Sequence, residues 1–173
     1  MTTHQRMFTA LLPALALVVW LTPQPAAAHC QVPCGIFGDA MKFQEFAQHI
    51  DTIEKAMREV RGLEGESGAE AQQKMVRWIV TKEDHAEKIM DDVQAYFLAQ
   101  RIKLPSDESQ HEAYLAKLAA LHAVTIHAMK CKQTLEQANV DALRASLAEF
   151  RGLYFDEHDE AHIAGHHDHE HDH

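Results

Sequence analysis

A stripe of apolar residues restricts the fold more than any other feature: Phe43, Phe46, Ile50, Ile53, Met57 and Val60, spaced 3, 4, 3, 4 and 3 apart. That period places all six on one face of a helix. Three more stripes follow. Met75, Trp78, Ile79, Ala86, Ile89, Val93 and Phe97 form the second; Tyr114, Leu115, Leu118, Leu121, Val124, Thr125 and Met129 the third; Val140, Leu143, Leu147, Phe150 and Tyr154 the fourth. Asp39 is expected to cap the first helix, which runs to about Arg61, and Gly62, Gly65 and Gly68 mark a loop. Ser67-Gly-Ala-Glu70 has the spacing of a capping box opening a second helix to about Arg101, stopped by Pro105. Ser109-Gln-His-Glu112 has the same form before the third, and the fourth starts near Asn139. Lys42, Glu45, Lys55 and Glu59, opposite the first stripe, are expected in solvent. No segment alternates with period two, so no sheet is expected. The fold class is all-α: an up-down four-helix bundle over residues 39–156.

Residues 1–28 have the form of a secretory signal peptide. Arg6 lies in a short polar start, Phe8 to Leu21 is apolar apart from Thr9, and Pro23 and Pro25 precede the small-residue site Ala26-Ala27-Ala28. Cleavage after Ala28 leaves 145 of 173 residues, enough for one domain with a single core, in an exported, periplasmic or extracellular protein. The net charge of −10 becomes −11 when Arg6 leaves with the leader. Such a balance argues against a nucleic-acid partner, and no apolar run after the leader is long enough to span a bilayer. Three cysteines do not make a disulfide scaffold.

Cleavage would place His29-Cys30-Gln31-Val32-Pro33-Cys34-Gly35 at the chain's start, within an N-terminal segment of residues 29–38. The α-amine and imidazole of His29, the amide nitrogen and sulfur of Cys30 and the sulfur of Cys34 are then five potential donors. Pro33 and Gly35 suit the turn that returns Cys34 to the others. Planar nitrogen and sulfur donors suit Ni(II) or Cu(II) better than structural zinc. In an oxidising compartment Cys30 and Cys34 could instead form a disulfide. A lipidated Cys30 is disfavoured, because bulky His29 precedes it.

The segment resembles the hook of the nickel-containing superoxide dismutases, which begins His-Cys-x-x-Pro-Cys-Gly at a processed N-terminus. The resemblance implies nickel held by His29, Cys30 and Cys34. It implies superoxide as substrate, converted to dioxygen and hydrogen peroxide by Ni(II)/Ni(III) alternation, and a homohexamer of four-helix bundles. It further implies that Glu45 hydrogen-bonds the axial imidazole of His29 from outside the ligand set, with an arginine beyond it for which Arg77 is the nearest candidate. Phe37 stands where the family usually carries tyrosine at the mouth of the site, keeping the ring without the hydroxyl. Gln31 replaces an acidic residue found in some members and leaves every ligand atom intact.

The remaining polar chemistry is mostly structural. Cys131 is expected as a small buried thiol. His122 and His127, five apart, do not share a helical face, and His49 and His85 stand as single histidines. There is no recognisable nucleophile motif and no Gly-rich phosphate loop. From Asp156 onward the chain holds seven histidines and seven acidic residues without one Lys or Arg. Residues 157–173 are expected as a tail, disordered beyond Gly165 and rich in imidazoles for nickel, zinc or copper. The expected function is a nickel superoxide dismutase. The alternative is a non-enzymatic exported protein that binds or buffers nickel or copper through hook and tail.

Overall fold

All four apolar stripes wind as helix. The computed structural model describes residues 36–167, with side chains from Gly38 to Ala161 and at Ile163. The elements are α1 (Ile36–Gly62), α2 (Ala69–Asp92), a π-helical continuation (Val93–Arg101), a 3-10 turn (Glu108–Gln110), α3 (His111–Gln133), α4 (Gln137–Tyr154) and α5 (Glu157–His167). None of the described residues forms a strand. Each of the four long helices packs on its sequence neighbours and α4 closes on α1, as an up-down bundle requires.

The stripes of α1 and α4 are buried as spaced, with Phe46, Ile53, Met57, Val140, Leu143 and Phe150 fully enclosed. Phe97 is the hub of the core, its ring 5.3 Å from Phe43, 5.8 Å from Phe46 and 4.9 Å from Phe150. Burying one such ring contributes about 2–3 kcal/mol. On α3 the stripe is only partly as expected: Leu121 and Val124 are buried as spaced. Leu115 and Met129 are exposed, and the buried face is Ala120, Leu121, Val124, Ala128 and Cys131. Small residues dominate that face because close helix approach leaves little volume to fill.

The expected caps also differ. Asp39 does not cap α1; it lies inside the first turn and its carboxylate is buried against other elements. At α2 the capping position is Gly68, not Ser67, with φ 97° and no side-chain cap bond. That backbone conformation suits a residue without a Cβ. Before α3 the capping oxygen belongs to Asp107, which accepts from the Ser109 amide at 3.0 Å.

Two lysines are buried among the described residues. Lys82 of α2 is almost fully enclosed, and its ammonium donates to the carbonyls of Cys131 (2.8 Å), Lys132 and Thr134. It satisfies the orphan carbonyls at the C-terminus of α3, where a cation also complements the helix dipole. Burial nevertheless holds its pKa below the usual lysine value. Lys42 of α1, expected in solvent, is the second.

Residues 157–167, expected as part of the tail, are helical. Ile163 of α5 reaches the core and Arg151 grips Glu160 through two hydrogen bonds of 3.0 and 2.7 Å. Residues 168–173 of the expected tail lie outside the described residues, as do residues 1–35.

Candidate metal centre

His29, Cys30 and Cys34 lie outside the described residues, so the described part of the site is what α1 presents beyond the hook. Phe37 falls in the first turn of α1, and its ring too is outside the described side chains. Glu45 is described. It sits on α1 half-exposed, beside an open depression of about 340 Å³ lined by Met41, Lys42, Gln44, Glu45 and Gln48.

The surroundings of Glu45 are more organised than those of an ordinary surface glutamate. One carboxylate oxygen, Oε2, accepts from Lys42 Nζ at 2.8 Å, and the same ammonium reaches Asp92 of α2 at 2.9 Å. Burial pulls the Lys42 pKa down, but bonding to Glu45 and Asp92 outweighs it and leaves the ammonium raised above the usual value. A buried cation shared by two carboxylates ties α1 to α2 at this level. The other oxygen, Oε1, accepts no hydrogen bond among the described residues and faces His49 Nε2 at 3.8 Å.

His49 and His85, expected as unrelated single residues, form a pair. Their Nδ1 atoms lie 2.9 Å apart across α1 and α2, and the rings meet edge to face with centroids 4.8 Å apart. Burial first, and the nearness of the second imidazole, lower the pKa of His49; burial and Lys88 lower that of His85. His49 Nε2 is buried without a hydrogen-bond partner. The spacing of Glu45 and His49, one helical turn apart, was the available signal; pairing with His85 depends on the packing of α1 against α2. Arg77, the nearest candidate for the family's arginine, is exposed on α2 beside Val76 and Val80, and the cation that holds Glu45 is Lys42.

A second polar cluster anchors the start of α1. The buried Asp39 carboxylate accepts from Tyr96 Oη at 2.5 Å, from Tyr154 Oη at 2.8 Å and from Arg101. Tyr154 in turn accepts from Arg101 Nε at 3.3 Å. Burial and the Asp39 carboxylate raise the Tyr96 pKa, while bonding to Asp39 raises that of Arg101. This cluster ties the first turn of α1 to the π-helical segment and to α4.

The sequence profile of the nickel-containing superoxide dismutases matches residues 24–158, spanning both the hook and the four long helices. The chain belongs to that family. It is therefore a nickel-dependent superoxide dismutase, an oxidoreductase. No curated protein and no solved structure matches it significantly. The residue types at 29–34 fit nickel: cysteine sulfur and histidine nitrogen are donors that suit it.

Proposed function

We propose that the dismutase is exported, that signal cleavage exposes His29, and that His29, Cys30 and Cys34 hold nickel in a hook folded back along α1 toward Glu45. The observation that carries this reading is the position of the family match, which begins at residue 24 and so includes His29 to Gly35 as well as the bundle. The reach of the chain allows it. Glu45 lies about 14 Å along the helix from Ile36, and the six residues from His29 to Cys34 can span about 20 Å.

When bound, nickel supplies a one-electron couple between Ni(II) and Ni(III), oxidising one superoxide to dioxygen and reducing a second, with two protons, to hydrogen peroxide. The chain's residues set the conditions for that chemistry. Cys30 and Cys34 bring negative charge to the donor set, and His29 contributes both its amine and an imidazole. Glu45 accepts from that imidazole and fixes its orientation. Phe37 shields the mouth and, lacking a hydroxyl, leaves an incoming anion without the donor that tyrosine would offer. Assembly as a homohexamer would give the hook a neighbouring surface to pack against.

A metal-gathering role for the C-terminal segment stands beside the enzyme. Asp156, His158 and Asp159 bring three ligand atoms within 4.8 Å of one another where α5 begins, and five more histidines follow His162. The test is native mass spectrometry, N-terminal sequencing and elemental analysis of the mature protein, with a variant lacking residues 168–173. A chain starting at His29, with one nickel and superoxide removal both retained in that variant, is the expected result. A chain starting elsewhere, or nickel lost with the tail, would defeat the hook reading.

A further inference from the structure

We propose that His85 and His49 form an imidazole relay behind Glu45: His85 Nδ1–H donates to His49 Nδ1, and His49 Nε2–H faces Glu45 Oε1. His49 is thereby a positioning residue for the carboxylate, a role that rests on the reading of Glu45 given above.

Each neutral imidazole has one donor and one acceptor nitrogen. Both rings are pushed toward the neutral form by burial, and two imidazolium ions could not sit with nitrogens 2.9 Å apart. The short contact therefore contains one proton, and two arrangements are possible. If His49 Nδ1 carries it, His49 Nε2 is a bare lone pair, buried without a partner and 3.8 Å from a carboxylate oxygen. Two acceptors then face each other, and the buried nitrogen keeps its full desolvation cost. If His85 Nδ1 carries it, His49 Nε2 holds a hydrogen aimed at Glu45. Only this arrangement turns the orphaned nitrogen into a donor facing an anion.

The placement of the Glu45 oxygens agrees with this tautomer. Lys42 already occupies Oε2, so Oε1 is the oxygen left for His49. Glu45 on α1 and Asp92 on α2 favour protons on His49, whereas Lys88 on α2 opposes an added charge there. At 3.8 Å the contact exceeds hydrogen-bond length. Glu45 is half-exposed, and such contacts tighten when a site is filled. An Oε1 held by His49 and an Oε2 held by Lys42 leave the carboxylate no freedom to swing. Its remaining lone pairs are then aimed for the imidazole of the hook.

The test begins with the metal-free, full-length mature protein, using nitrogen-15 NMR of the imidazoles assigned with His49→Leu and His85→Leu variants. His49 is expected as the Nε2–H tautomer and His85 as the Nδ1–H tautomer, with His49 becoming a tautomeric mixture in His85→Leu. A His49 ring protonated on Nδ1, or two rings titrating as solvated histidines, would overturn the relay. In the nickel-loaded protein, His49→Leu is expected to lower kcat about 10-fold or more and broaden the axial nitrogen coupling in the nickel electron-spin spectrum. His49→Gln, which keeps a donor, should restore both. Equal losses in His49→Leu and His49→Gln would remove the positioning role even if the tautomers are as assigned. A wild-type protein with no nickel at His29 would instead defeat the hook and the role of Glu45, while the NMR result still decides the relay itself.

Discussion

At the level of single residues, burial decides reactivity. Cys131 is fully enclosed, and burial pushes its thiol up to about 11 against the ordinary 9.0. At pH 8 roughly one molecule in a thousand would carry the thiolate that reacts. A thiol reagent applied to the folded metal-free protein should therefore modify Cys30 and Cys34 within minutes and leave Cys131 untouched until denaturant is added; rapid loss of all three thiols would contradict this. The sign for stability follows. With the folded value above the unfolded one, the contribution is complete below pH 9 and is lost as pH rises through about 11, amounting to about 2–3 kcal/mol. Cys131→Ala should flatten that alkaline slope in chemical denaturation. Burial of this cysteine was legible from the sequence, whereas Lys42 was read as solvated because helical periodicity does not reveal a partner such as Asp92 on another helix.

The deciding element is the π-helical continuation of α2. Its i to i+5 bonding is seen in the Ile102 amide, which donates to Phe97 at 2.8 Å. The extra residue per turn puts Tyr96 and Arg101, five apart, on one face, with the guanidinium 5.8 Å from the ring centroid and both groups on Asp39. An ordinary α-helix would rotate Arg101 away, and π segments of this kind often mark functional sites. Arg101→Leu should keep the helical circular dichroism and cost about 3 kcal/mol by leaving the buried Asp39 carboxylate without its cation. Asp39→Asn should cost little more in that background than it leaves to lose; additive effects in the double-mutant cycle would refute the coupling. The helix and its apolar stripe were legible, but Val93-Gln-Ala-Tyr-Phe-Leu-Ala-Gln-Arg101 contains no glycine or proline to announce a change of winding. Asp39 was misread as a cap for a related reason: a short acidic residue near a helix start suits a cap, and only packing against Tyr96, Arg101 and Tyr154 draws it inward.

For the molecule as a whole, the net charge of −10 gives an anionic substrate no general attraction, so productive encounters depend on local lysines or arginines. The same acidic character disguised where the fold ends. Seven histidines and seven acidic residues made the C-terminal segment look unable to bury anything, yet Phe155 and Ile163 both join the core and Arg151 pairs with Glu160. A single large apolar residue, Ile163, in a short helix is too weak a pattern to stand out against that composition. Two truncations separate the contribution of α5 from that of the residues after it. Removing residues 168–173 should leave unfolding within about 0.5 kcal/mol of the full chain and lower metal uptake beyond the first nickel. Removing residues 157–173 should cost a further 2–3 kcal/mol or so, because it takes away Ile163 and uncovers Phe155. Nickel affinity at the hook should fall along with it, since α5 also packs on α1, the helix that carries Glu45. Equal stability of the two truncated proteins in urea would show that α5 does not hold the bundle together, and that loss of metal in the longer deletion comes from the histidines alone.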